Sequence, residues 1–398
     1  MKNPFEFGRE LGSDELVNRT EELETVRRVI ESGGKLFVIG PRRFGKTSIL
    51  KSAAERSSSQ GNIVLRYNAE SFPEIGNMVG KIVEDSARLL KGKVEKKGEQ
   101  IKRYFKSLRP EVSFSVTQNE WKVSLGATPS TTSGQTGLLV DALNGIEELA
   151  ADQPEGRHVA LIIDEFQEVL RAAGIKAEKQ IRSAVQTHKH TAYIFAGSKT
   201  RMLTELTTDP SRPFYRLGKL LFIGELPRPE FALFLADNFI RGGFLPQTGA
   251  EEENRKLSVL ILELSEDVPY NVQMFAHTLW DNLSQIQIAA PEKAILDEAL
   301  IRESLETIIR RNDPFYTQVW NGLTAIQKKA LHAVIDENGE HLQSLKVVKA
   351  SGVSPSSMRK SLESLSNRDI LRQVESTGTI RFCFEDPFFA HWIDVFTF

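Results

Sequence analysis

The chain has 398 residues, a formal net charge of −2 and a single cysteine, Cys383. This length predicts about two to four domains, and the nearly balanced charge excludes an overall electrostatic attraction to nucleic acid or membranes. One cysteine excludes an intrachain disulfide framework and a cysteine-rich zinc site. Because the N-terminus lacks the apolar segment of a signal peptide and no stretch reaches about 18 apolar residues, we expect a cytoplasmic protein without a membrane partner.

The first 225 residues alternate short apolar strands with helices. A helix is predicted from Glu15 to Ser32, directly before the helix-ending pair Gly33 and Gly34. Further helices are predicted over 46–58, 73–105 and 138–151. Strands are predicted over 35–40, 62–68, 158–166, 191–198 and 219–225. Strands that alternate with helices are typical of a mostly parallel α/β sheet.

The remaining pattern divides the chain further. Apolar and polar side chains alternate over about 111–126, which predicts a β-hairpin insertion, and the turn-rich stretch 127–137 predicts a loop. After Glu225 only helical patterns continue, to about Arg311. We therefore predict an α/β core over 1–225, a helical domain over 226–311 and a C-terminal domain over 312–398.

The stretch GPRRFGKTSIL, residues 40–50, directly follows the apolar strand KLFVI. Gly40 to Thr47 fits the pattern G-x-x-x-x-G-K-[ST], in which backbone N–H groups surround phosphate oxygens at the positive N-terminus of the next helix. Lys46 is expected to reach the β- and γ-phosphates of ATP, and Thr47 to offer its hydroxyl to Mg²⁺. The candidate nucleotide-binding residues of this loop are Gly40, Pro41, Arg42, Arg43, Phe44, Gly45, Lys46, Thr47 and Ser48.

A phosphate loop needs an acid elsewhere that holds the metal and activates water, and the segment LIIDEF supplies two carboxyl groups. Asp164 ends an apolar strand, which places it at the carboxyl edge of the sheet beside the loop. We predict that Asp164 coordinates Mg²⁺ together with Thr47 and that Glu165 is the base for the attacking water. The alternative is that both acids only cap the following helix.

Three segments together resemble the archaeal-type ATPases, a group of AAA+/STAND P-loop proteins: GPRRFGKTSIL, IIDEFQEVL and TAYIFAGS. The N-terminal NPFEFGRELGSDELVNRTEEL looks like the lead-in of that family, and RFCFEDPFFAHWI looks like its closing segment. The resemblance extends over nearly the whole chain. It implies a P-loop AAA+-type parallel sheet core, a helical lid over 226–311, and ATPase activity with ATP and Mg²⁺.

The resemblance also implies roles for residues outside the loop. Asn18 and Arg19 match the lead-in near the nucleotide base. Ser198 matches the position where a polar side chain reads the γ-phosphate, and a helix N-cap is its alternative role. Arg216 matches a position that serves as an arginine finger or an interdomain switch contact. Arg212 is its rival, and an ordinary surface arginine is the alternative for both.

The lid segment EDVPYNVQMFAHTLW departs from the family pattern. Relatives carry either an arginine here or G-x-P, whereas this chain has Pro269 with Asp267 in place of the glycine. We expect Pro269 and Tyr270 to pack near the adenine. Because no arginine follows nearby, slow turnover or dependence on a partner is expected.

Arg42 and Arg43 have two possible roles within the loop. They either add phosphate attraction or project outward and couple the loop to a neighbouring element or subunit. We favour the second, because Lys46 already supplies positive charge and burying two more cations beside it is costly.

The C-terminal segments resemble a winged helix, with three helices followed by a β-wing. Ser354 is the predicted cap of the third helix, and Pro355 suits its first position. Segment 341–382 holds seven Lys/Arg and three Asp/Glu, which suits contacts with phosphates of duplex DNA but equally a docking module for protein. The exposed candidates for such contacts are Ser356, Ser357, Arg359 and Lys360.

Three functions are compatible with these motifs. The first is a slowly hydrolysing switch ATPase whose nucleotide state controls DNA or protein binding through the winged helix. The second is an oligomeric DNA-loading or DNA-remodelling ATPase, in which Arg212 or Arg216 acts on a neighbouring copy. The third is an ATP-dependent scaffold that does not hydrolyse ATP.

Overall fold

The computed structural model describes residues 2–12, 15–90, 94–115, 120–125, 132–247, 249–376 and 379–397. It divides into two compact units, Glu10–Gly224 and Met1–Arg9 with Glu225–Phe398. Within the described ranges, no helix is both long and apolar enough to cross a membrane.

The first unit contains a five-stranded parallel sheet, which confirms the predicted fold class. The strands lie in the order β2-β5-β6-β1-β7, and they are β1 (Lys35–Ile39), β2 (Ile63–Asn68), β5 (Val159–Asp164), β6 (Thr191–Gly197) and β7 (Lys219–Phe222). Strands β5 and β6 are buried along their whole length, since helices cover both faces of a parallel sheet. All five carboxyl ends therefore meet at one edge.

The helices of this unit follow the predicted alternation with three differences, of which the first is that the helix predicted from Glu15 begins only at Thr20. They are α1 (Thr20–Ser32), α2 (Lys46–Ser59), α3 (Ile75–Leu89), α4 (Val94–Tyr104), α5 (Thr132–Ala151), α6 (Gln167–Thr187) and α7 (Thr200–Thr208). The prediction of one helix over 73–105 is wrong, because Leu90 has extended backbone and ends α3 before α4 begins. Helix α5 begins at Thr132, before the predicted residue 138. Thr136 in its second turn is buried, so tertiary packing outweighs the low helix propensity of the neighbouring glycines.

The predicted hairpin is present as strands β3 (Glu111–Ser115) and β4 (Glu120–Ser124). The pair is antiparallel, and Phe114 lies opposite Trp121 with their ring centroids 5.2 Å apart. Residues 127–131 of the predicted loop lie outside the described residues, and the rest of it belongs to α5.

The second unit is helical up to its C-terminal hairpin. Its elements are α8 (Arg228–Arg241), α9 (Glu251–Leu264), α10 (Pro269–Ala289), α11 (Glu298–Asn321), α12 (Ala325–Asp336), α13 (Leu345–Ser351), α14 (Pro355–Asn367), β8 (Leu371–Ser376), β9 (Thr379–Phe384) and α15 (Pro387–Phe396). The order from α12 to β9 is that of a winged helix. The Ser354 hydroxyl accepts a hydrogen bond from the Ser357 amide, so Ser354 caps α14 as predicted. The predicted boundary at 312 falls inside α11.

Candidate functional site

The loop between β1 and α2 lies at the carboxyl edge of the sheet. Gly40 lies so close to the carbonyl of Ile223 that any side chain there would collide with it. Gly45 has a φ of +86° and forms the N-cap of α2, a conformation that glycine adopts without strain. The loop therefore turns sharply and delivers the N-terminus of α2 to the sheet edge, as an anion-binding loop requires.

Lys46 is the first residue of α2 and only 5% exposed. Its ammonium donates a hydrogen bond to the carbonyl oxygen of Pro41, at 2.9 Å, within the same loop. The side chain therefore bends back over the loop and concentrates its positive charge there. A phosphate group held in the loop lies within reach of this ammonium.

Thr47 joins the loop to the acidic segment. Its hydroxyl donates to Oδ2 of Asp164 over 2.8 Å, although the two residues are 117 positions apart. The other oxygen of Asp164 accepts from the backbone amide of Glu165 at 2.9 Å. Because Asp164 is 1% exposed, burial raises the pKa of its carboxyl against the opposing effect of the Thr47 hydrogen bond. A divalent cation beside it favours the ionised form.

Glu165 lies next to this pair in an unusual backbone conformation. Its φ of +51° is rarely adopted by a residue with a long side chain. The carboxylate accepts hydrogen bonds from the Ser198 hydroxyl at 2.9 Å and the Ser198 amide at 3.2 Å. It also accepts from the side-chain amide of Gln167. Glu165 is thus held at the sheet edge by three donors.

Neither proposed capping alternative is seen at these residues. Helix α6 begins after Phe166 and has no side-chain cap, so Asp164 and Glu165 do not cap it. Helix α7 begins after Lys199, also without a side-chain cap. The Ser198 hydroxyl is instead directed at Glu165.

Gln167 was missed by the sequence analysis. It is 3% exposed, and a side chain at Gly197 would collide with its Oε1 atom. The glycine at the end of β6 therefore leaves the space that Gln167 needs to reach Glu165. The only sequence signal is the spacing of two residues from the acid, which by itself indicates nothing.

Of the two lead-in residues, Arg19 is the one that contacts the loop. Its buried guanidinium donates to the carbonyl oxygens of Gly224, at 2.6 Å, and Phe44, at 3.3 Å, and pairs with Glu22. Asn18 is exposed, with a φ of +43°. Arg19 therefore braces the phosphate loop.

Ser48, at the start of α2, also holds the lead-in segment. Its hydroxyl accepts a hydrogen bond from the backbone amide of Leu11 at 3.0 Å.

The two loop arginines are exposed, in agreement with the outward orientation that we favoured. Arg42 forms an ion pair of 3.3 Å with Glu70, which follows β2. Arg43 has a φ of +68°, so the loop takes a left-handed turn at this residue. Neither guanidinium is buried beside Lys46.

Arg212 and Arg216, the two finger candidates, differ in their surroundings. Arg212 makes two bonds to the carboxylate of Glu178, at 2.5 and 3.2 Å, and Glu178 is only 3% exposed. Arg216 is exposed, has a φ of +51° and lies over the ring of Tyr215 at 5.1 Å. Arg212 therefore neutralises a buried carboxylate, whereas Arg216 presents its charge at the surface.

In the second unit, Pro269 is the first residue of α10. Asp267, two residues before it, has a φ of +53°, a conformation that glycine adopts most easily and aspartate tolerates. Its carboxylate binds Arg228 through two hydrogen bonds of 2.5 and 3.0 Å. The departure from G-x-P therefore keeps a left-handed turn and adds an ion pair. The role of Pro269 near adenine stays a prediction.

Replacing Asp164 by asparagine is expected to stabilise the nucleotide-free protein while weakening magnesium-dependent ATP binding. The raised pKa means that the fold favours the neutral carboxyl, so its contribution is present at low pH and lost as pH rises through that pKa. Thermal unfolding should show a larger gain in Tm at about pH 8 than at the lowest pH at which the protein stays folded. Asp237→Asn, at an exposed position of α8, is the control. A loss of Tm at the higher pH would contradict this account.

Comparison with known proteins finds one matching family profile and several solved structures of similar fold. The profile of a family described as an ATPase domain predominantly from Archaea matches residues 16–212. A Walker-type ATPase of Pyrococcus abyssi is similar in structure, with a TM-score of 0.61 and 14% identity over 98% of this chain and 100% of that one. The ORC2 protein of Aeropyrum pernix, solved in ADPNP–ADP complexes, has a TM-score of 0.53 and 14% identity over 99% and 96%. At such identities the likeness shows the fold alone. No curated protein matches the sequence.

Proposed function

We propose that the chain is a magnesium-dependent switch ATPase of low intrinsic turnover, because the profile of ATPase domains found predominantly in Archaea matches residues 16–212. In this proposal its nucleotide state controls the binding of duplex DNA or a protein partner through the winged helix. The observation that carries the proposal is the 2.8 Å hydrogen bond between Thr47 and Asp164. It joins the phosphate loop to the acidic end of β5, the two halves of an ATP-hydrolysing site.

The loop residues bind the triphosphate in this proposal. The backbone amides at the start of α2 donate to phosphate oxygens, and Lys46 exchanges the Pro41 carbonyl for the β- and γ-phosphates. Arg19 keeps the loop in place through the Phe44 carbonyl.

Thr47 and Asp164 fit a magnesium site. Their hydroxyl and carboxylate are hard oxygen ligands, and Mg²⁺ in such sites uses one or two protein ligands, substrate phosphates and water. In the described part of the chain, no group of three or more His, Cys, Asp or Glu side chains is arranged to hold a metal ion. The ion, when bound, would neutralise charge on the phosphates.

Glu165 is the candidate base, and its restraint supports a low intrinsic rate. A base must lie within hydrogen-bond reach of the water whose proton it accepts. Here the carboxylate accepts from both the amide and the hydroxyl of Ser198 and from Gln167. All three hydrogen bonds end on Oε2 and fix the orientation of the carboxylate. If ATP draws the Ser198 hydroxyl to the γ-phosphate, Glu165 loses one of these donors and can turn toward the attacking water.

ATP turnover of the full chain, measured with and without a duplex of about 30 base pairs, tests the switch. We expect the duplex to change turnover several-fold, with strong salt sensitivity, since phosphate contacts release counterions. Arg359 and Lys360 are exposed on α14 of the winged helix. If the duplex acts through the winged helix, the double variant Arg359→Ala/Lys360→Ala should lose the change in turnover. Turnover that ignores the duplex at every salt concentration would reject DNA as the partner and favour protein.

The oligomeric ATPase is the second candidate, favoured by one observation. Arg216 presents an exposed guanidinium on a left-handed turn, as a finger acting on a neighbouring copy requires. The non-hydrolysing scaffold is the third, and an absence of turnover in the wild-type protein would favour it.

A further inference from the structure

The strongest basic segment of the chain lies in the first unit and not in the winged helix. Residues 91–110 hold eight Lys/Arg and two Asp/Glu, whereas the winged-helix stretch 341–382 spreads seven Lys/Arg and three Asp/Glu over twice the length. In the structure, residues 94–108 of this segment form α4 and one turn of 3₁₀ helix, Lys106–Leu108. Neither the ATPase site nor the winged helix uses it.

Packing directs the basic side chains of this segment outward. Ile101, Tyr104, Phe105 and Leu108 are buried in the hydrophobic core of the unit. Five basic side chains before, between and after these positions are exposed and form what we call the basic ridge: Lys96, Lys102, Arg103, Lys106 and Arg109. Their charge therefore faces solvent because the other side of the segment is fixed inside.

The positive charge of the basic ridge is largely unneutralised. Arg103 pairs with Asp152, but among the described residues the other four members form no ion pair. Arginines on other helices are paired one turn away, such as Arg302 with Glu298 and Arg359 with Glu363. A bound polyanion would neutralise this charge.

The basic ridge lies far from the phosphate loop. Tyr104, beside the ridge, donates to Asp152, which follows α5 and precedes β5. Lys97 donates to the carbonyl of Arg88, at the end of α3. Both contacts lie at the amino edge of the sheet, and the 15 residues of α3 alone span about 22 Å from the opposite edge. A ligand of the ridge therefore does not compete with ATP.

Of the polyanions that such a surface attracts, the structure favours nucleic acid. Helices that bind a membrane surface insert an apolar face between the lipid headgroups. The apolar face of this segment is already buried, with Ile101 at 0% and Phe105 at 1% exposure. Among residues 94–110, Val94 at the start of α4 is the one large apolar side chain that is exposed, at 38%, so the surface is mainly a row of cations, which suits contacts to a phosphate backbone.

We propose that the basic ridge binds the phosphate backbone of nucleic acid, without reading its sequence, as a second contact in addition to the winged helix. It extends the proposed function, but it does not depend on ATP hydrolysis. Binding at the ridge would hold the ATPase unit itself on a duplex, so that both units of one chain meet the same polymer.

Binding of the nucleotide-free full chain to a mixed-sequence duplex of about 30 base pairs, in a salt series, tests this proposal. Each lost phosphate contact lowers the log–log salt slope by about 0.9, so Lys102→Ala/Lys106→Ala/Arg109→Ala should lower it by about 2 to 3. Affinity at about 0.1 M salt should fall on the order of 100-fold. ATP hydrolysis without DNA should remain at the wild-type rate, which shows that the variant is folded.

The control removes the same charge elsewhere, by Lys256→Ala/Arg302→Ala/Arg310→Ala on exposed positions of α9 and α11. If both triple variants lose the same duplex affinity, the loss results from the change in net charge and not from the ridge, which would overturn the proposal. So would an unchanged slope in the ridge variant with binding lost only in Arg359→Ala/Lys360→Ala. Wild-type protein that binds phosphatidylserine vesicles but no duplex would identify a membrane ligand instead.

Discussion

Replacing Lys46 by alanine is expected to abolish detectable ATP binding and hydrolysis. Lys46 is 5% exposed, and its ammonium is held over the loop by the Pro41 carbonyl, so it is already oriented toward a phosphate. Loss of two charge-assisted hydrogen bonds, at about 1.5–3 kcal/mol each, lowers affinity on the order of 10²–10⁴-fold. Titration calorimetry with ATP and Mg²⁺ measures this loss directly.

The matched control for Lys46 lies on the same helix. Lys51 is a half-buried cation of α2 that pairs with Glu55 at 3.9 Å, and Lys51→Ala should keep wild-type affinity for ATP. The Lys46 variant should also unfold at or above the wild-type temperature, because alanine removes a buried charge. Retained ATP affinity in a folded Lys46 variant would refute the phosphate-loop interpretation.

Glu165→Gln is expected to lower kcat on the order of 10²–10⁴-fold while ATP still binds. Glutamine keeps the size of the side chain and can still accept from Ser198, but its neutral amide cannot take the proton of the attacking water. Single-turnover hydrolysis of radiolabelled ATP, together with a binding titration, separates the two effects. Bound ATP should therefore accumulate unhydrolysed.

Glu168→Gln is the control, since Glu168 lies in the first turn of α6 and pairs with Arg171 away from Ser198. Hydrolysis at the wild-type rate in the Glu165 variant would exclude Glu165 as the base. The same variant tests the oligomeric alternative. Mixing it with Arg216→Ala restores part of the turnover only if Arg216 of one copy acts on the site of another.

Local pattern predicted the elements that carry the site. Strand β1, the glycine-bounded loop and α2 follow from an apolar run, the phosphate-loop pattern from Gly40 to Thr47 and a helical period. Asp164 was predicted at a strand end for the same reason, because β5 is apolar along its whole length up to that residue. These features are determined by residues that are adjacent in the chain, and they can therefore be predicted from the sequence.

The sequence could not resolve features that depend on packing between distant segments. The break between α3 and α4 was missed because the helical period continues across it, whereas Leu90 is buried with extended backbone. The sequence placed Arg216 ahead of Arg212 as the finger candidate but gave no partner for either. Only the fold brings Glu178 to Arg212, across 34 positions.

The residues in chain order are thus sufficient to identify the chemical groups of the site: a cationic loop, a helix start, and two carboxylates at a strand end. Which of these groups meet depends on the folded arrangement of the strands. Strand β6 lies between β1 and β5, so that Ser198, at its end, reaches Glu165 across 33 positions. Gln167 joins them because Gly197 leaves it room. Turns and helical or strand periodicity are determined by residues adjacent in the chain. Contacts between distant residues are determined by the order of the strands and by the space that neighbouring side chains leave.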